Sequence, residues 1–134
     1  MNFIPTFKKK GFCLNGYNYI GPLNDYSLEP IDIIDFFAML HDKHYDKIIE
    51  VYGSEYPYLH FNKADQSFIN NLEQLNTDEF NDVQKLAITI CVGYFKLKKL
   101  TFPKSNDNDI VFNYSEPINP FLGEKNREKT NLEN

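Results

Sequence analysis

The stretch His41-Asp42-Lys43-His44-Tyr45-Asp46 lies late in a segment, Ile31 to Val51, whose apolar residues recur at helical spacing. Ile34, Ala38, Tyr45 and Ile49 fall on one stripe of such a helix, and Ile33, Phe37, Leu40 and Ile48 on its neighbour. His41 and Tyr45, four residues apart, then share a face, with Asp42 one step round. A histidine and a carboxylate set into an apolar stripe carry a desolvation cost that a purely structural helix avoids. Alone, the pair is most simply a partly buried histidine satisfied by its neighbour. Its meaning depends on what the rest of the chain brings to it.

One domain is what 134 residues build, with core enough to fold and little to spare. Hydrophobic content of 42% and charged content of 25% are those of a soluble globular protein. The 12 Phe and 9 Tyr are enough rings to fill a small core and leave some facing lipid or another protein. A net charge of −5 argues against general nucleic-acid binding, which needs a basic excess. Two cysteines, Cys13 and Cys91, cannot make a disulfide-dense scaffold, and Cys91 lies in an apolar run that suits a small core residue. Lys8-Lys9-Lys10 interrupts the N-terminal region before a signal sequence can form. The longest apolar stretch, Leu86 to Leu97, is broken by Thr89, Gly93 and Lys96 and is too short to span a bilayer. The expectation is a soluble protein that meets membranes from outside.

Residues 1–15 show no period and read as an irregular arm with solvated lysines. Gly16 to Asn24 (GYNYIGPLN) is a loop in which Gly21 supplies torsional freedom and Pro22 a set φ. Such a bend can turn successive carbonyl oxygens towards one point, which suits a hard cation such as calcium; an ordinary turn looks the same in sequence. Glu29-Pro30 marks the start of the first helix and Gly53 its end. Ser54 to Phe61 reads as an extended connector packed by rings. A second helix is predicted from about Lys63 to Leu75, capped by Asn62, with Asp65 in its first turn where the helix dipole favours a carboxylate. Thr77 is predicted to cap a third helix, Asp78 to about Leu100, whose Lys96, Lys98 and Lys99 complement the dipole at its end. Those lysines, with Lys104, are read as solubility features that also offer contacts to anionic lipid. Beyond Pro103, Ile110 to Tyr114 suits a short strand, and Gly123 to Asn134 is polar and expected to be disordered.

In this order, GYNYIGPLN, a helix bearing HDKHYD, YPYLHFNKADQSFINNL and a lysine-ended helix resemble the phospholipase A2 domain in the unique N-terminal region of parvovirus minor capsid proteins, including insect-infecting members. The resemblance covers roughly residues 11–100. It implies a mainly α fold, two long antiparallel helices plus a shorter one, without the disulfides of the secreted phospholipases A2. It divides the chain into an arm (1–10), the phospholipase-like domain (11–103) and a polar, largely disordered tail (104–134). The implied activity is calcium-dependent hydrolysis of the sn-2 ester of glycerophospholipids. By the same resemblance His41 is the general base, Asp65 the acid that orients it, and Tyr45 the tyrosine that helps hold that acid. Asp42 supplies a calcium-binding carboxylate, and Tyr19, Gly21 and Leu23 supply backbone carbonyls. Many relatives carry glycine where this chain has Leu23, but a carbonyl ligand does not depend on its side chain.

A histidine near its unperturbed pKa of about 6.5 is a competent base at neutral pH, and an acid behind it fixes the tautomer. Calcium would polarise the ester oxygen and offset charge on the tetrahedral intermediate, with the Gly21 N–H as a second donor. One carboxylate among neutral carbonyls implies weak binding, on the order of 10⁻⁴–10⁻³ M. The implied partners are a glycerophospholipid membrane interface, touched by Leu14, Tyr17, Ile20, Leu23 and Tyr26, and the remainder of a viral capsid protein; no nucleic acid is expected. The implied location is the virion or the endosomal membrane surface, where the domain would breach a host membrane; a free-standing relative would be soluble and cytoplasmic. The rivals are a non-catalytic calcium- or lipid-binding module, a metal hydrolase using His41, His44 and His60 with nearby acids, zinc being one candidate metal, and a helical interaction module with a coincidental dyad. No HExxH pattern accompanies the histidines, and three motifs in order favour the esterase. His41 and Asp65 are then expected to face each other across a groove opening towards the glycine loop.

Overall fold

The computed structural model describes residues 5–8, 11–14, 16–21, 26–106 and 119–121. Where an irregular arm was expected, β1 (Pro5–Lys8) and β2 (Gly11–Leu14) pair as an antiparallel hairpin with Phe7 opposite Phe12. Four-residue strands are too short for alternation to register. Leu14, at the end of β2, is a core residue, and the chain folds back on it: its N–H bonds Ile20 O (3.1 Å) and its carbonyl accepts from Tyr17 N. Among the described residues the torsional freedom of this loop is used at Gly16, at φ 96°, and not at Gly21.

Helix α1 spans Ile33–Tyr52 and starts on Asp32, whose side chain accepts from Asp35 N (2.9 Å). Gly53, at φ 102°, ends it. The connector that follows is not wholly extended, since Tyr56–Leu59 forms a single turn, α2, with Pro57 in the first-turn position that tolerates its missing N–H. Helix α3 (Lys63–Glu73) opens with a reciprocal capping box between Asn62 and Asp65. The predicted third helix is split. Thr77–Glu79 is a 3₁₀ turn, Phe80 is extended and buried, and α4 (Asp82–Thr101) begins afresh on Asn81, boxed with Gln84. A second cap three residues before Gln84 outcompetes continuation of the first turn, and burial of Phe80 holds the break open.

Tyr45 and Ile48 cluster with Ala64 while His41 meets Phe68, so α3 runs antiparallel to α1. Phe68 meets Phe95 and Asp65 meets Lys98, so α4 runs antiparallel to α3. The antiparallel packing expected of the two long helices is therefore made by each of them against the shorter α3. The long helices share a direction, with Gln84 reaching Asp32 near their starts and Lys98 reaching Tyr45 farther along. Leu14, Ile33, Ile34, Phe37, Ile69, Leu72, Leu75, Ala87 and Cys91 fill the core between them. Each large aliphatic side chain buried there is worth about 1.5–3 kcal/mol.

The start of the expected polar tail is tied down: Phe61 N bonds Pro103 O, Ser105 N bonds Phe61 O, and Tyr52 OH donates to Asn106 O. Phe121 packs against the core, while the proposed strand at 110–114 and the segment 123–134 lie outside the described residues. Among the described residues no helix is long and apolar enough to cross a membrane, and no disulfide is present. Cys91 is free, and burial pushes its thiol up to about 12. Iodoacetamide near neutral pH is expected to leave Cys91 unlabelled in the native protein and to label it after unfolding, as read by peptide mapping.

Candidate active site

His41 sits midway along α1 with three rings around it: Tyr45 at 4.3 Å, Phe68 at 5.0 Å and Phe95 at 4.9 Å between centroids. One comes from each helix of the core, so the imidazole has no room to swing. Its Nε2 lies 2.8 Å from Asp65 Oδ1, while Nδ1 lies 4.0 Å from Asp42 Oδ1. The second distance is an electrostatic approach and not a hydrogen bond. Burial alone would lower the ring's pKa, but the carboxylates of Asp42 and Asp65 outweigh it and raise it above the ordinary imidazole range.

Asp65 is fully buried and surrounded by donors. Tyr45 OH donates to Oδ1 (2.6 Å), and Lys98 Nζ (2.8 Å) and Asn62 N (3.3 Å) donate to Oδ2. Burial works to raise its carboxyl, yet His41 and Lys98 hold it below the usual carboxylate range. Lys98 was read from sequence as a solvated helix-end charge. It is instead buried, its ammonium on Asp65, Tyr45 and the Pro57 carbonyl. Its neighbours Lys96 and Lys99 are exposed and reach Glu73 and Gln66. Nothing in the sequence distinguishes the three except the register of α4.

Asp42 is buried beside His41, and burial pushes its carboxyl up to about 6 against the opposing pull of the histidine. Its Oδ2 has no hydrogen-bond partner among the described residues. A buried carboxylate oxygen without a donor is costly unless a cation completes it. The glycine loop lies over the same stretch of α1. Asp35, two turns before Asp42 and fully buried, accepts from Tyr19 N (2.8 Å) and Asn18 N (3.1 Å) of the loop and from Ile31 N (3.0 Å). Tyr19 stacks on Tyr26 at 5.9 Å, and Tyr26 OH donates to Asp46, four residues past Asp42. Tyr19 is thus tied to α1 through Asp35, two turns before Asp42, whereas Leu23 and Pro22 lie outside the described residues. Asp42, with a buried oxygen left without a partner among the described residues, is an oxygen donor of the kind that fits a hard cation such as calcium. Asp35 was missed in sequence, where an acid in a first helical turn has a sufficient explanation in the dipole.

Of the apolar residues expected at the rim, Leu14 and Ile20 are core and Tyr17 donates its hydroxyl to Asp32. Tyr26 is exposed, and Leu28 and Ile31 join it. His60 lies flat on Tyr56 at 3.9 Å and donates Nδ1–H to its carbonyl. Among the described residues no group of three or more His, Cys, Asp or Glu side chains is gathered to hold a metal, so the three-histidine arrangement has no counterpart there.

Residues 10–98 match the family model of the phospholipase A2-like domain. Curated relatives include the minor capsid protein VP1 of Human bocavirus 2, 39% identical over 103 residues, and that of Human bocavirus 4, 37% identical over 103 residues. Each match takes in 75% of this chain and 14% of the relative. Capsid protein VP1 of Porcine parvovirus (strain NADL-2) is 31% identical over 106 residues, 78% of this chain and 13% of that protein. The chain therefore spans about one seventh of the length of the capsid proteins it matches. No solved structure matches it.

Proposed function

The chain belongs to the phospholipase A2-like domain family found in parvovirus VP1 capsid proteins, and from that premise we propose that it is a calcium-dependent phospholipase A2 cleaving the sn-2 ester of glycerophospholipids. The observation that carries this reading is the His41 ring, bonded through Nε2 to a buried carboxylate while Nδ1 lies 4.0 Å from Oδ1 of Asp42, whose other oxygen, Oδ2, has no partner among the described residues. In the proposed reaction, Nδ1 takes a proton from water as that water attacks the ester carbonyl, and the ring returns it to the leaving alcohol. Asp65 keeps Nε2 protonated and offsets the charge that the ring acquires. Tyr45 and Lys98 hold Asp65, and the rings of Tyr45, Phe68 and Phe95 exclude bulk water from the imidazole. Asp42 and the carbonyls of Tyr19, Gly21 and Leu23 would hold the calcium. When bound, the ion supplies Lewis-acid polarisation of the ester carbonyl and charge for the oxyanion.

The catalytic unit on this reading is residues 11–103. Kinship with capsid proteins supports a virion location, and the proposed role is to breach a host membrane, endosomal in setting, as the particle enters a cell. The test uses phosphatidylcholine vesicles with distinguishable acyl chains and mass spectrometry of the products. Release of the sn-2 chain alone is expected. Release from sn-1 would overturn the sn-2 assignment, and binding to vesicles without release at any calcium level would leave a lipid-binding module in its place.

Asp35 gives a separable prediction. Asp35→Asn removes the charge that gathers Asn18 N, Tyr19 N and Ile31 N, and so loosens the loop without touching the dyad. Half-saturating calcium is expected to rise about 10–100-fold, with kcat at saturating calcium within a few-fold of wild type. A calcium titration of initial rates checks this.

A further inference from the structure

We propose that Lys98 is a positioning residue for the His41–Asp65 pair, fixing the direction in which each proton of that network points. The inference rests on the hydrolase reading above for its kinetic consequences, but not for its geometry.

An ammonium group has three N–H donors and no acceptor. All three are used: Asp65 Oδ2 at 2.8 Å, the Tyr45 hydroxyl oxygen at 2.9 Å and the Pro57 carbonyl. Because the Tyr45 oxygen accepts from Lys98, its own hydrogen is free to go to Asp65 Oδ1, 2.6 Å away. Asp65 then receives Tyr45 on one oxygen and Lys98 and the Asn62 N–H on the other, which is the environment of an ionised, acceptor-only carboxylate. Facing such an acceptor at 2.8 Å, His41 Nε2 must be the donor. In the neutral ring the lone pair is therefore on Nδ1, the nitrogen on the Asp42 side.

Remove Lys98 and this polarity is no longer enforced. The Tyr45 hydroxyl can turn, and a fully buried carboxyl that has lost its cation favours the protonated form. A protonated Asp65 would donate to Nε2 and move the ring's own hydrogen to Nδ1, where it blocks a base. A merely structural role, tying the end of α4 to Pro57, would cost stability and leave the ring's tautomer alone.

The test is ¹⁵N NMR of the imidazole at a pH where the ring is neutral, with steady-state kinetics on vesicles, for wild type and Lys98→Met. Wild type is expected to carry the hydrogen on Nε2 and Lys98→Met to shift towards the Nδ1–H form. kcat should fall about 10–100-fold with KM for lipid little changed. On an Asp65→Asn background the same substitution should cost less than about 3-fold in kcat, because its route to the ring is already gone. A folded Lys98→Met protein with the wild-type tautomer, or an undiminished cost on the Asp65→Asn background, would overturn the proposal. If Lys98→Met does not fold, comparing Asp65→Asn with Asp65→Asn/Lys98→Met, where the counter-charges are removed together, decides by the same ratio. A wild-type chain that turns over no lipid while Lys98→Met still switches the tautomer would sink the hydrolase reading and leave the positioning role standing.

Discussion

His41→Ala is expected to lower kcat by roughly 10⁴-fold, the loss that follows when a general base is removed from a charge-assisted dyad. The fold should survive, because Asp65 keeps Tyr45, Lys98 and Asn62 as donors once the imidazole is gone. The variant should therefore melt cooperatively, a few degrees low, and bind calcium nearly as wild type does, since Asp42 and the loop are untouched. Initial rates, a circular-dichroism melt and a calcium titration together separate loss of the base from loss of the structure. A variant that melts normally and still hydrolyses lipid within about tenfold of wild type would remove His41 from the chemistry.

Asp42→Asn carries the second large effect, and two of its parts run in opposite directions. Calcium affinity should fall on the order of 100-fold, because the site's one formal charge is gone. In the absence of calcium, however, the variant should be more stable than wild type at pH 7. Burial raises the Asp42 carboxyl from 3.8 to about 6, so the folded state holds the proton more tightly than the unfolded one. The stabilisation this gives is fully present below the unfolded value and is lost as pH rises through the folded value. At neutral pH the ionised group therefore works against the fold, by at most about 3 kcal/mol. Wild type without calcium should accordingly melt higher near pH 5 than near pH 7 from this group, and Asp42→Asn should flatten that difference. Calcium should raise Tm of wild type and not of the variant. Protons and calcium compete for one carboxylate, so half-saturating calcium should also rise below about pH 6.

How far the sequence carried follows from which spacings are local. His41, Asp42 and Tyr45 lie within one helical turn, and their shared face follows from periodicity alone; Asp65 entered through its place in the NKADQSF motif and in a first turn. Lys98 and Asp35 were not legible. Each is a charged residue where a helix end already explains one, and only packing between helices far apart in sequence buries them. Thr77 reads in sequence as the cap of one continuous third helix; the Asn81–Gln84 box starts α4 instead, and burial of Phe80, a tertiary event, holds the break between them. Leu14 and Ile20 were read as lipid contacts because loop residues show no period to mark a core face; the fold-back of the loop on Leu14 buries both. The shared direction of α1 and α4 has the same origin, since α3 must be antiparallel to each and sequence shows only that the connections are short.

The claim on which everything else depends is that this pocket cleaves lipid with calcium. The most direct measurement is fatty-acid release from phospholipid vesicles by the wild-type chain across a calcium titration, with a chelator added and then back-titrated. Release should be absent with chelator, half-maximal at roughly 10⁻⁴–10⁻³ M calcium and restored when calcium is returned. Release that ignores the chelator, or none at any calcium concentration from a protein that melts as a folded domain, would contradict it.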